Sequence, residues 1–286
     1  MQGLLPMRLS RTKQETRAWT RSCRIAGERI ALVPTMGALH DGHLSLIERA
    51  RSSADRVAVS IFVNPLQFGP NEDFERYPRD LNRDLDLCEQ AGAHFAFSPS
   101  VEEMYPGGEP WTEVVPVHGA EHLCGASRPG HFAGVLTVVA KLFGIVGPDV
   151  AVFGQKDYQQ LVLIRRMAAD LDLDIEVIGA PIVRELDGLA MSSRNAYLSP
   201  DERGRALALS RALGRCQALF EQGERNADAF RGLLLDVDGN GVELEYGEVV
   251  DAETLEPLDE VRRGAVCAVA ARVGRTRLID NTILGN

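Results

Sequence analysis

Aromatic residues are scarce in this chain, 6% of 286 positions with 2 tryptophans, and they never interleave with a basic patch. Basic charge is also short: 31 Lys and Arg face 41 Asp and Glu, a formal net charge of −10. Both shortages work against nucleic-acid binding, which needs a basic face to neutralise phosphates. No uninterrupted apolar run approaches the ~18 residues that span a bilayer. The first thirty residues mix Arg8, Arg11, Lys13, Glu15 and Arg17 without an apolar core for export, so the expectation is a cytoplasmic protein with no membrane contact. The 5 cysteines, Cys23, Cys88, Cys124, Cys216 and Cys267, are odd in number, scattered and never in a C-x-x-C pair. That spacing argues against a disulfide framework and against structural zinc, and leaves them as reduced packing residues. Internal repeats and low-complexity segments are missing too.

What is present is a globular composition, 45% hydrophobic and 25% charged, on a chain long enough for two domains. Apolar runs at Ile30-Val33, Val57-Val63, Phe95-Phe97, Val150-Phe153 and Ile175-Ile178 alternate with helix-compatible stretches at Leu44-Ser53, Leu81-Ala91, Gly134-Val146 and Tyr158-Asp170. Alternation of this kind predicts an α/β fold with a parallel sheet covered on both faces. The segment from Pro99 to Pro116 reads as a long irregular excursion with no assignable chemistry. After Val183-Arg184 the pattern changes. Ser199-Pro200-Asp201-Glu202 supplies an N-cap, a proline at the first helical position and first-turn acids. A second helix from about Ala227 and strand-like runs at Val242-Val250, Ala265-Val273 and Arg275-Ile279 follow. The expected division is therefore residues 1–182 and a smaller α+β domain, 183–286. Asp236-Val-Asp-Gly-Asn-Gly241 opens like a calcium loop but has no Glu at the required distance, so a turn is expected there.

Two constellations carry chemistry. His40-Asp41-Gly42-His43 follows the break of the first apolar run at Pro34-Thr-Met-Gly37, placing two imidazoles and glycine-freed N–H groups at one helix start. Such a terminus collects anions, because its N–H groups lack partners and carry partial positive charge. Far downstream, Met191-Ser192-Ser193-Arg194-Asn195 groups two hydroxyls, a guanidinium and an amide, all potential donors to phosphate oxygens. On a chain of charge −10, a polyanion needs a locally positive pocket. With screening over about 8 Å, a cluster of His, Lys and Arg plus a divalent cation can override the distant acidic surface. Taken singly, each constellation also reads as an ordinary polar turn.

Together they resemble the two signatures of the HIGH/KMSKS nucleotidyltransferase superfamily, with Met-Ser-Ser-Arg in place of the lysine-bearing second signature. Five ordered blocks, Pro34 to His43, Phe62 to Gly69, Arg128 to Gly134, Phe153 to Gln160 and Gly188 to Asn195, are more closely similar to the pantoate–β-alanine ligase family. The likeness continues through Gly247 to Asp251 and Thr276 to Asn281. It implies a Rossmann-like sheet domain binding ATP and pantoate, a C-terminal lid, a homodimer, and ATP-dependent joining of pantoate to β-alanine through a pantoyl-adenylate, releasing AMP and pyrophosphate. It implies His43, His40, Lys156 and Arg194 as catalytic, with Met36, Gly154, Gln155, Asp157, Val183, Met191, Ser192 and Ser193 completing the ATP site. Gln67 and Gln160, and behind them Asn64, Tyr77, Arg128 and His131, fall to pantoate and β-alanine. Mg²⁺ is expected with ATP, and Asp84 is the one position carried over for it. Gln155 departs from the Glu common in the family. Apolar faces at Val135-Leu136 and Leu142-Phe143 are candidates for the dimer contact. A related adenylyltransferase would need a cationic second site where Gln67 and Gln160 stand, and a non-catalytic nucleotide-binding module has no need of an intact His43, Lys156 and Arg194.

Overall fold

The computed structural model describes residues 7–70 and 72–285. In chain order its elements are β1 (Arg8–Ser10), α1 (Lys13–Ile25), β2 (Ile30–Thr35), α2 (Asp41–Arg51), β3 (Arg56–Ile61), α3 (Leu81–Gln90), β4 (Phe95–Phe97), α4 (Val101–Met104), α5 (Leu123–Ser127) and α6 (His131–Val146). They continue with β5 (Val150–Gly154), α7 (Tyr158–Asp170), β6 (Glu176–Ala180), α8 (Pro200–Glu221), α9 (Ala227–Leu235), β7 (Val242–Val250), β8 (Val266–Val273) and β9 (Thr276–Ile283). The chain divides into two compact units. One comprises Met1–Pro116, Gly130–Gln155 and Leu163–Pro181, and the other Val117–Pro129, Lys156–Val162 and Ile182–Asn286. A single cut at residue 182 does not capture the two short segments, 117–129 and 156–162, that cluster with the C-terminal unit.

In the first unit a six-stranded sheet runs β1-β4-β3-β2-β5-β6, and every pairing is parallel. The strand order reverses between β2 and β5, the place where doubly wound sheets bind ligands beyond the strand ends. The local pairing opens a crevice there. β2 stays in register with β3 as far as Thr35 and Ile61, but pairs with β5 only at Ala31–Val150 and Leu32–Ala151. Pro34 fits this divergence. Ile30 and Thr35 bond toward β5 and β3 respectively, so alternation turns residue 34 toward β5, on the side where the ladder has already ended and a missing N–H costs nothing.

Odd-numbered residues of β2, Ala31 and Val33, pack with Leu46, Ile47 and Ala50 of α2 and with Val57, Val59, Val150 and Val152. Four elements were not legible in the apolar pattern, β1, α1, α5 and α4, the last lying inside the stretch expected to be irregular. Helix α1 buries Thr16, Trp19, Thr20 and Cys23, a stripe at helical spacing in which two of four positions are threonine. Those hydroxyls bond to main chain, Thr20 Oγ1 to Thr16 O at 3.1 Å and to Val146 O at 3.0 Å, which lets a polar residue occupy a core position. Trp19 stacks on Phe95 with ring centroids 4.4 Å apart. Helix α6 is buried on nearly every side, with Val135, Leu136, Leu142 and Phe143 each 2–3% exposed. This corrects the expectation of a dimer face there: those residues are interior to their own unit.

The second unit carries the antiparallel sheet β7-β8-β9 with α8 and α9 packed against it. Leu209, Leu213, Phe230, Leu234, Val249, Val269 and Leu278 form its core. The Ser199 capping box on α8 is present, with the Glu202 carboxylate accepting from Ser199 N–H at 2.8 Å. The segment 236–241 is a turn in which Gly239 and Val242 exchange main-chain bonds at 2.9 Å. Strand β9 runs four residues beyond the expected Ile279, through Asp280 and Asn281, each only 4% exposed. All five cysteines are buried and free, and among the described residues no helix is long and apolar enough to cross a membrane.

Candidate active site

The loop leaving β2 turns sharply, Gly37 at φ +88° and Ala38 at φ +52°. Two successive left-handed residues point their following N–H groups to one side, a concavity suited to an anion. Here the anion is Asp84 of α3, whose two oxygens accept from Ala38 N–H at 2.9 Å and Leu39 N–H at 2.8 Å. A Cβ at residue 37 would lie 2.8 Å from the Asp84 Oδ2, so glycine is required both by its φ and by the carboxylate's approach. Asp84 is 1% exposed, and burial pushes its carboxyl above the usual range against the pull of those two donors.

The loop delivers His40 to the N-cap of α2, where the two histidines cap reciprocally. His40 Nδ1 accepts from Gly42 N–H at 3.2 Å, and His43 Nδ1 accepts from His40 N–H at 3.3 Å. The rings lie 4.2 Å apart at 44°. An Nδ1 that accepts from main chain cannot hold a proton in the neutral ring, so the proton sits on Nε2 in both.

Across the β3 exit, Asn64 is 1% exposed and internally committed. Its amide donates to Gln67 Oε1 and Gly134 O, both at 3.1 Å, and its oxygen accepts from Tyr105 Oη at 2.8 Å and from Leu66 N–H at 3.4 Å. The Gln67 amide donates to Met36 Sδ at 3.2 Å, and His131 Nδ1 lies 2.8 Å from Gln67 O. Tyr77 is buried edge-on to Phe68. One unit thus carries the His40–His43 pair at the start of α2 and, as a second contact set, Met36, Asn64, Gln67 and His131. Tyr105 was missed, since it lies in the excursion to which the sequence assigned no chemistry. Its only sequence signal is a lone aromatic before Pro106.

In the other unit, Lys156 lies in the single turn Gln155–Asp157 that carries β5 into α7, with Nζ 3.7 Å from Asp157 Oδ2. Gly154 ends β5 just before it and Gln155 opens the turn, both half-buried and both the last residues of their segment of the first unit. The adjacent glutamines of α7 diverge: Gln159 is 5% exposed and donates to Gly119 O and His122 O at 2.9 and 2.8 Å, while Gln160 is half-buried. Arg128, half-buried, caps α5. The second signature hangs from a hairpin. Arg184 pairs with Ala190, Met191 N–H donates to Val183 O at 3.0 Å, and Ser192 Oγ accepts from Arg194 N–H at 3.3 Å to start the turn Ser193–Tyr197. The Asn195 amide donates to Glu185 Oε1 at 2.6 Å and Ala190 O at 3.0 Å. It therefore braces the hairpin, correcting its reading as a phosphate donor. Arg203 holds Glu185 at 2.5 Å and Asp187 at 2.8 Å.

Among the described residues no group of three or more His, Cys, Asp or Glu is placed to hold a metal ion. Asp84, the sequence candidate for Mg²⁺, has both oxygens engaged by N–H groups in a closed environment. Its donor set does not fit a metal.

Residues 8–283 match the family model described as Pantoate-beta-alanine ligase. The chain is 52% identical over 282 residues to Pantothenate synthetase of Geobacter sulfurreducens, spanning 98% of this chain and 99% of that one. Against Pantothenate synthetase of Pelotomaculum thermopropionicum it is 54% identical over 282 residues, with the same coverage. The crystal structure of pantothenate synthetase from Thermus thermophilus matches with a TM-score of 0.91 at 47% identity, covering 97% of this chain and 99% of that one. Pantoate-beta-alanine ligase of Francisella tularensis, complexed with beta-gamma ATP and beta-alanine, matches at 0.78 and 33% identity over 97% of each chain.

Proposed function

This chain belongs to the pantoate-beta-alanine ligase family, and from that premise we propose how its residues divide the work. The chain is an enzyme that condenses pantoate with β-alanine, driven by ATP. A carboxylate resists attack by an amine because its carbonyl is a poor electrophile and oxide a poor leaving group. In the proposed route a pantoate carboxylate oxygen attacks the α-phosphorus of ATP, breaking the bond to the β-phosphate and expelling pyrophosphate. The amine of β-alanine then attacks the pantoyl-adenylate carbonyl, the acyl C–O bond breaks, and that oxygen departs with AMP. The protein's share is positioning and stabilisation of developing charge.

The observation that carries this reading is the reciprocal Nδ1 capping of His40 and His43 at the crevice between β2 and β5. It sets the neutral-ring proton of each on Nε2 at a helix N-terminus, the protonation a donor to departing pyrophosphate requires. His43 takes the principal donor role and His40 supports it. Lys156, Ser192, Ser193 and Arg194 take phosphate oxygens, a planar guanidinium and an ammonium matching different parts of the polyphosphate. Met36, Gly154, Gln155, Asp157, Val183 and Met191 complete the nucleotide's surroundings. Gln67 and Gln160 hold pantoate, since an amide both donates to a carboxylate and accepts from a hydroxyl. Asn64 and Tyr77, buried, shape that pocket, and Arg128 and His131 border it. Asp84 holds the signature loop, and Mg²⁺ enters as part of the substrate MgATP, bound through phosphates and water. A cytoplasmic homodimer completes the proposal.

Transfer of oxygen tests the route. With pantoate labelled by ¹⁸O in its carboxylate, the expected product is AMP carrying one label. Unlabelled AMP rejects the adenylate.

A further inference from the structure

Asp280 and Asn281 take part in none of the roles above, yet they are two consecutive buried polar residues in the middle of a strand. β9 is paired to β8 without a break from Thr276 to Ile283, which fixes both positions. Asp280 accepts from Arg184 through both oxygens, at 2.6 Å from Nη1 and 3.0 Å from Nη2. The same guanidinium donates to Gly188 O at 3.2 Å within its own hairpin. The hairpin that ends in Met191–Arg194 is therefore clamped at its base. The next residue faces the other phosphate-binding segment: Asn281 Nδ2 donates to Lys156 O at 2.9 Å. Both contacts reach the foundations of functional segments, one main-chain carbonyl and one hairpin root.

Resting on the phosphate-binding reading of Lys156 and Arg194, we propose that Asp280 and Asn281 are positioning residues that hold these two segments of the C-terminal unit in one register before ATP arrives. The cost of ordering a loop is met at folding rather than at binding, so a preordered pair of segments binds more tightly than two independent ones. Strand β9 suits this task because a ladder-bound strand moves less than either loop. Arg184 suits it because a guanidinium fork fixes direction as well as distance, which an ammonium does not.

The test uses the full-length enzyme. Asn281→Ala is expected to raise KM for ATP about tenfold, the factor associated with one lost neutral hydrogen bond, while KM for β-alanine stays within twofold. In a Lys156→Ala background the same substitution is expected to add less than twofold, because its effect passes through residue 156. Equal rises in KM for every substrate, or losses that multiply fully in the double variant, would overturn the proposal. Arg184→Lys, at the partly exposed end of the ion pair, keeps the charge and gives a second reading should Asn281→Ala fold poorly. It is expected to show a smaller rise confined to ATP, and a rise shared with β-alanine again contradicts the proposal. A Lys156→Ala enzyme with wild-type constants would instead defeat the phosphate-binding reading of Lys156, leaving the ATP selectivity of Asn281→Ala and Arg184→Lys to judge the positioning role.

Discussion

A histidine that accepts a backbone hydrogen bond at Nδ1 carries its neutral-ring proton on Nε2, and both histidines of the first signature accept such a bond. Replacing His43 with Ala is expected to lower the rate of adenylate formation by about 10²–10³, the usual loss for one donor to a developing charge. Stability should fall only by about 1 kcal/mol, the worth of a helix cap, when measured by urea unfolding. Asp84→Asn separates the loop-holding role from a metal role. Turning an acceptor into an NH₂ donor leaves one buried loop N–H unmet, costing roughly 1–3 kcal/mol, and the Mg²⁺ concentration giving half-maximal activity should not change. A large shift in that concentration with unchanged stability would restore Asp84 as a metal ligand. The residue pattern placed two histidines at a helix start, as α2 shows, while the glutamines entered only through the family resemblance. Neither pattern nor resemblance announced that Asn64 and Asn195 have their amides committed inside the protein, because a donor's partner is a tertiary fact that no local spacing contains.

Elements carry these residues, and their fit is tight where the site needs it. A Cβ at Gly134 of α6 would lie 2.2 Å from Leu66 O, a backbone atom that cannot swing away. Gly134→Ala should therefore displace the Pro65–Gln67 turn, destabilise the protein by about 1–3 kcal/mol and raise KM for pantoate through Gln67. An unchanged KM alongside lost stability would detach that turn from substrate binding. Elsewhere, the turn after β7 is tied by Asp251. Burial works to raise its carboxyl, but donors from Thr254 N–H, Arg262 and Glu253 N–H prevail and lower it from 3.8 to about 2. A depressed carboxyl stabilises the fold above its unfolded value and loses that contribution as pH falls from about 4 to about 2. Roughly 2 kcal/mol of acid sensitivity should disappear in Asp251→Asn, as read from unfolding free energies across that range. Strands flanked by glycine or proline and helices with strong caps, such as Ser199 and α8, were legible because local chemistry specifies them. Helix α1 and the end of β9 were not, because threonine, aspartate and asparagine stand in the core with their hydrogen bonds met by distant partners.

For the whole molecule, alternation of strand and helix was enough to indicate the parallel sheet, and the change of pattern after residue 182 indicated a second unit. The short segments 117–129 and 156–162 were invisible as parts of that unit, since membership depends on packing between residues far apart in sequence. The homodimer remains a proposal with a direct check: sedimentation velocity should give the mass of two chains. Since α6 is interior, surface substitutions that split such a dimer should map elsewhere. The central claim is that pantoate is adenylated at a site whose leaving group is met by His43. Exchange of labelled pyrophosphate into ATP measures that step alone. The account predicts exchange that requires pantoate, proceeds without β-alanine and falls at least about a hundredfold in folded His43→Ala enzyme. Exchange without pantoate, or undiminished in that variant, would contradict it.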